Sequence, residues 1–550
     1  MDASPQFRQA FERARELQAR GSRVRAERAY RQLLAQGEER ELVLRRLVDL
    51  YMESRRADEA IAGLVALTEE VPDRLYYYAR LATLLEDLGR RAEAIACYRR
   101  LLNRQPELAD AHYNLALLYK KEKRYAEAAA AYERAIRLGI ERAQDVYCNL
   151  GVLYAETREP ARAREMYERA LAVEPAHVPS MFNLGGLHEE SGEKEKAEEL
   201  YRRILAAEPG HSGALARLVH ASRITNAGNP LLARLHEAME AAKDDFAREE
   251  LWFARGKALD DLGDHEEAFA AFGTANRLGR RRGPRYDRRA TEQAFDRLID
   301  TFDREWIGRA ATDCRAAPIF ICGMFRSGST LIEQILSAHP SITAGGEVDR
   351  LQWLIARRLA PYPQRARDAS PAELRELGDA YLAHLRDIAR SDADDAAVTD
   401  KRPDNFLHLG LIKALFPPVR IVYTKRDPAD NCLSIYFQPL GRLSYATDLE
   451  NTAHYYGQHE RLMRHWQACF PENIFTVDYD ELVREPRAVF SRLFEFLGLA
   501  WEDNYLNLAE SATPAKTASL WQVREALHER SSGRWRNYAP FLKNIEGPWR

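Results

Sequence analysis

No stretch of this sequence approaches the about 20 consecutive apolar residues that span a bilayer. The opening segment, MDASPQFRQAFERARELQAR, is charged and lacks the apolar core of a secretory signal. The expectation is a cytoplasmic chain with no transmembrane segment. Cysteine is scarce: six residues (Cys97, Cys148, Cys314, Cys322, Cys432, Cys469) lie scattered, with no CxxC pair, in 550. That spacing excludes a disulfide frame and a cysteine zinc site. No other cluster of metal ligands is visible, so no metal is expected. Neither charge sign dominates. A formal net charge of −3 argues against a non-specific nucleic-acid binder. The basic run RLGRRRGPRYDRR, 277–289, is the local exception and reads as a solvated linker. What is present is ample: 46% hydrophobic and 30% charged residues, enough for real cores. The length exceeds the about 250–300 residues at which single cores split, so two or more domains are expected.

The first half repeats itself with a period of about 34 residues. Leu115, Ala116, Tyr119, Ala128, Tyr132 and Ala135 recur as Leu150, Gly151, Tyr154, Ala163, Tyr167 and Ala170. Further copies run through Leu81, Ala82, Ala94 and Tyr98, through Leu184, Gly185, Ala197 and Tyr201, and finally through Gly256, Leu259, Ala268, Phe272 and Ala275. The pattern is that of tetratricopeptide (TPR) units, each a pair of amphipathic helices. The small residues let paired helices approach, and Pro72, Pro106, Pro175 and Pro209 end second helices. Such an array is either a spacer or a concave surface for a peptide or protein. Gly283–Pro284 breaks the last helix, and a connecting helix is expected near 289–309.

The periodicity changes at PIFICGMFRSGSTLIEQIL. Pro318 to Cys322 reads as a buried strand, Gly323 to Ser329 as a glycine loop, and Leu331 to Leu336 as a helix. Strand, loop and helix N-terminus together cradle an anion. The loop has Walker A spacing, but Ser329 stands where that motif has lysine, which argues against a kinase or ATPase. Arg326 supplies the positive charge instead. A second parallel strand, 419–424, leads into KRDPADNCLSIYF, where Arg426 and Ser434 suit another phosphate. Two anion sites suggest a nucleotide with phosphate at both ends.

With these segments in order, the chain resembles the bacterial TPR-sulfotransferases of the superfamily that uses 3′-phosphoadenosine-5′-phosphosulfate (PAPS). Its catalytic part resembles tyrosylprotein sulfotransferases over roughly residues 315–545. FRSGSTLIEQILSAHPSITAGGE matches the 5′-phosphosulfate loop, KRDPADNCLSIYF the 3′-phosphate site, and VDYDELVREP a later family segment. TASLWQVREAL and GRWRNY match nucleotide-closing segments. The resemblance implies that Arg326, Ser327, Gly328, Ser329 and Thr330 hold the 5′-phosphosulfate. It implies that Arg426, Ser434 and Arg534 hold the 3′-phosphate, and that Tyr479 lines the adenine or phosphate pocket. Glu347 falls at the general base and Lys401 at the bridging oxygen, and Ser519 approximately matches a serine supporting that lysine. Without the resemblance, Glu347 reads first as an exposed loop glutamate. His339 is a rival base with a structural alternative, helix ending. One departure is Asp349, where tyrosine-sulfating relatives carry an arginine that binds an acidic peptide.

The expectation is therefore an all-α TPR superhelix (1–282), a linker and connecting helix (283–314), and an α/β P-loop-like sulfotransferase domain with a central parallel sheet (315–550). The expected activity is sulfuryl transfer from PAPS to a hydroxyl, leaving 3′-phosphoadenosine-5′-phosphate (PAP). Tyrosine, a sugar and a small alcohol stay open as acceptors. The alternatives are a TPR scaffold with an inactive nucleotide-binding domain, and a P-loop kinase.

Overall fold

A computed structural model describes residues 4–389, 397–506, 531–543 and 545–548. The chain divides into two compact units, Met1–Leu184 and Gly185–Arg550. The first unit is an array of antiparallel helical hairpins, among them Ala109–Lys121 with Tyr125–Arg137 and Ala143–Glu156 with Pro160–Val173. The repeated positions are its core. Leu115, Ala116 and Tyr119 are buried with Ala128, Tyr132 and Ala135. A side chain at Gly151 would run into the Tyr167 ring, so this helix pair requires the small residue that the repeat places there. The helices Ala57–Glu70, Arg91–Arg104 and Pro160–Val173 each stop two residues before Pro72, Pro106 and Pro175.

The second unit begins with further helices, ending in the hairpin Asp245–Asp261 and His265–Arg282. The expected connecting helix is two helices, Arg288–Thr301 and Arg304–Ala310. Asp303 separates them because its carboxylate caps the second, accepting from Trp306 N–H at 2.7 Å. A five-stranded parallel sheet follows: β1 Ile319–Gly323, β2 Ile342–Thr343, β3 Ala397–Asp400, β4 Arg420–Lys425 and β5 Ile474–Asp478. Its order is β2-β3-β1-β4-β5. The first and fourth strands each sit one residue later than the sequence pattern suggests.

Alternation along the strands feeds two cores. Phe320, Cys322, Ile421 and Tyr423 face one apolar cluster, while Ile319, Ile321, Val422 and Val477 face the other. A third cluster joins Phe253, Phe272 and Ala275 of the last hairpin to Met324, Cys432, Leu433 and Phe437. That cluster makes the hairpin part of the same packed body as the sheet. Strand order switches at β1, whose neighbours β3 and β4 lead to opposite edges. Register does the rest: Gly323 lies opposite Thr424, and Lys425 opposite Asp478. The loop after β1, Arg426 after β4 and Tyr479 after β5 therefore emerge side by side, at the carboxyl ends where ligands bind such sheets.

Candidate active site

The loop after β1 is held in a shape that most residues resist. Arg326 adopts φ 67° and Gly328 φ 99°, the left-handed region. A side chain at Gly328 would meet the Tyr479 ring at 2.6 Å, so glycine is needed for space as well as for backbone. Contacts with neighbouring elements hold the strained arginine. Ser327 turns its hydroxyl inward, bonded to Met324 O at 2.7 Å and paired with Thr424 Oγ1 at 2.6 Å. Asn431 donates to Phe325 O at 3.1 Å, Arg426 Nη1 to Arg326 O at 3.4 Å, and Arg326 Nε to Ser434 Oγ at 3.2 Å. Asn431 and Ser434 both lie on the helix Pro428–Tyr436, which starts at Asp427 with proline in its first turn. Ser329 and Thr330 are buried at the N-terminus of the helix Ser329–Leu336.

Three arginines crowd this cleft. Burial pushes the Arg326 guanidinium down to about 10, and the charges of Arg426 and Arg534 push the same way. Arg426 is 8% exposed and lies over the Tyr479 ring at 5.0 Å. Its Nη2 donates to Ser531 O, while its Nε is a buried donor with no hydrogen-bond partner among the described residues. A buried donor left unmade is costly, and so is a cluster of like charges. Both features fit an anionic ligand with more than one phosphate-like group.

A second group stands beside the first, joined by one helix. Lys401, just past β3, is 3% exposed in its side chain and bonds Glu347 Oε1 at 3.1 Å; the Glu347 side chain is 44% exposed. The turn carrying Glu347 is fixed from beneath. Gly346 N–H donates to Glu333 Oε1 at 2.8 Å, and Thr399 Oγ1 to the same oxygen at 2.7 Å. Gly345 N–H reaches Thr399 Oγ1 at 3.1 Å, and Lys401 N–H reaches Gly346 O at 2.8 Å. Glu333 lies four residues into the helix that the anion loop opens, a rise of about 6 Å from Ser329. The helix thus sets loop and turn at a fixed spacing. Asp400, next to Lys401, accepts from the Tyr381 hydroxyl at 2.7 Å, and burial raises its carboxyl to about 7.

Most residues singled out in the sequence meet here: Arg326, Ser327, Gly328, Ser329, Thr330, Arg426, Ser434 and Tyr479 around the loop, with Glu347 and Lys401 in direct contact. Ser519 lies outside the described residues, as does the TASLWQVREAL segment. Arg534 reaches the cleft paired with Asp260 at 2.5 Å. His339 is a packing residue: its Nδ1 accepts from Ser341 N–H at 3.1 Å and its ring lies against Phe494 and Tyr505. Sequence reasoning missed Glu333, Asp260 and Asp430. Asp430 accepts from Gly533 N–H at 2.5 Å and Trp535 N–H at 2.7 Å. It also missed His220, a half-buried residue of the helix Ser212–Ala221. Burial first, then Lys257, Arg217 and Arg326, push its imidazole down to about 4. A carboxylate within KRDPADN was a visible signal for Asp430; nothing local marked the other three.

Parts of the chain are similar to known families and proteins. Residues 318–503 match the sulfotransferase family, and residues 79–143, 148–212 and 249–278 match tetratricopeptide repeats. The chain is 33% identical to an uncharacterized protein of Aquifex aeolicus (strain VF5), over 53% of this chain and 40% of that one. It is 26% identical to protein-tyrosine sulfotransferase A of Caenorhabditis elegans, over 35% of this chain and 53% of the relative. The chain thus spans about half, or less, of the length of these relatives. The solved MamA protein is similar over 31% of this chain and 92% of its own, at 22% identity and a TM-score of 0.28. Residues 318–503 are a sulfotransferase-family domain, carried in one chain with tetratricopeptide repeats.

Proposed function

We propose that this chain moves a sulfuryl group from PAPS to a hydroxyl acceptor and releases PAP. The observation that carries the reading is the meeting of Arg326, Arg426 and Ser434 at the tips of β1 and β4, with one helix linking them to the Glu347–Lys401 pair. The donor supplies a sulfur already bonded to a stable leaving oxygen. Arg326 and the N–H groups opening the helix Ser329–Leu336 hold the 5′ end. Arg426, Ser434 and Arg534 hold the 3′-phosphate, with Tyr479 alongside. Glu347 accepts the proton of the attacking hydroxyl. Lys401 directs one N–H to Glu347 and keeps two for the departing oxygen, where charge grows in an in-line displacement.

The acceptor follows from the fusion. A protein hydroxyl, tyrosine among the candidates, is presented by the repeats, because repeat surfaces bind peptides and proteins. The relatives named protein-tyrosine sulfotransferase support tyrosine, while Asp349 weakens the case for an acidic peptide.

Transfer of labelled sulfur from PAPS to proteins of a cell extract tests both parts. Label in a sugar or small alcohol alone would overturn the recruiting role, and no transfer at all the activity. Glu347→Gln should lower turnover by about 10²–10⁴-fold with PAP affinity kept. Arg426→Ala should chiefly weaken PAP binding. Equal losses of PAP affinity in the two variants would refute the division of roles.

A further inference from the structure

Arg534 is fixed at both ends by different parts of the second unit. Its backbone lies between Gly533 and Trp535, whose N–H groups both bond the Asp430 carboxylate on the helix Pro428–Tyr436. Just upstream, Ser532 Oγ donates to Asp480 Oδ1 at 2.5 Å and Ser531 O accepts from Arg426. These bonds set where the side chain begins. Its far end is set from the last repeat hairpin. Arg534 Nη2 donates to Asp260 Oδ2 at 2.5 Å, and the Tyr538 hydroxyl donates to the other oxygen of the same carboxylate. The guanidinium lies 5.3 Å over the Phe437 ring, which is itself stacked on Phe272 of the hairpin at 4.1 Å. Asp260 is on one repeat helix and Phe272 on the next, so both walls that aim Arg534 come from, or rest on, the repeat domain.

We propose that Asp260 is a positioning residue for the donor nucleotide: the last tetratricopeptide hairpin holds Arg534 as the third cation of the anion cleft. This rests on the donor-site reading above. A guanidinium has five N–H donors in a planar fork, so a carboxylate on Nη2 orients the plane and leaves other donors for a phosphate. Asp260 carries a single charge, against those of Arg326, Arg426 and Arg534. It therefore offsets part of the mutual repulsion of the three guanidinium groups. Arg426 donates both to Arg326 O and to Ser531 O, three residues before Arg534, which brings the Arg534 segment to the same cleft as Arg326. The last repeat hairpin is then a structural part of the donor site.

The test is the ratio of affinities for PAP and adenosine 5′-phosphate, which lacks the 3′-phosphate, measured by calorimetry on the full chain. Asp260→Asn keeps the shape and removes the charge. It should lower PAP affinity about tenfold with adenosine 5′-phosphate affinity unchanged. A merely structural role would lower both equally, and that result, or tighter PAP binding, would overturn the proposal. Arg534→Ala leaves the repeat hairpin untouched and should lose the same preference, with the double variant no worse than Arg534→Ala alone. Additive losses would count against the coupling. Wild-type protein with no preference for PAP would remove the donor-site reading itself, and this proposal with it.

Discussion

Asp400 shows what a single buried carboxyl does to this fold. Burial lifts it from an ordinary 3.8 to about 7, against the Tyr381 hydroxyl bond that favours ionisation. A carboxyl whose folded value is raised contributes fully below its unfolded value, and that contribution is lost as pH rises through the folded value. The second unit should therefore lose stability between about pH 4 and pH 7 from this site. A tenfold difference in proton affinity between folded and unfolded chains is worth about 1.4 kcal/mol, so the effect is at most a few kcal/mol. Asp400→Asn should flatten that slope in urea midpoints measured from pH 5 to 8; a variant that falls as steeply as wild type would clear Asp400. Nothing local hints at this behaviour, since TDKRPDN reads as an ordinary polar turn and only tertiary burial separates Asp400 from Asp404. Arg326 and Arg426 could be singled out because their chemistry is written in contiguous segments beside strand ends, whereas Glu347 was singled out only through the family resemblance. Asp260 was not. In LDDLGD it looks like a solvated helix end, and its partner is more than two hundred residues away in sequence.

At the scale of elements, the anion loop is where sequence and structure agree most fully, and its glycine is the sharpest place to probe it. Gly328 sits in the left-handed region with the Tyr479 ring where a methyl would go. Gly328→Ala should cost about 1–3 kcal/mol in backbone strain. It should also displace Tyr479, on which Arg426 rests. The expected outcome is at least about a tenfold loss of PAP affinity, since about 1.4 kcal/mol is a factor of ten. Retained affinity would show that the loop adapts. Strand register was only partly readable. Buried parallel strands are near-continuous apolar runs, so β1 and β4 could be found but not bounded to the residue. The two-residue β2 carries no periodic pattern at all.

At the scale of the molecule, repeat periodicity and sheet chemistry suggest a cut near residue 283, yet the packing crosses it. Phe272 is 1% exposed and stacked on Phe437, and Asn276 Nδ2 donates to Tyr436 O at 2.8 Å. Phe437, Tyr436 and Tyr538 share one apolar cluster with the hairpin. Removing residues 1–282 would strip that cover and leave an apolar patch beside the helix that holds Ser434. Such patches drive association. The shortened chain should be aggregated or unable to bind PAP, so a truncation made to isolate the repeats' role would instead damage the donor site. Phe272→Ala in the full chain separates the two effects. Deleting a buried phenylalanine costs about 3–5 kcal/mol, which should appear in denaturant unfolding followed by bound PAP, while helices of the first unit melt unchanged. A soluble 283–550 fragment with full PAP affinity would instead make the hairpin a spacer, and Asp260 a bystander.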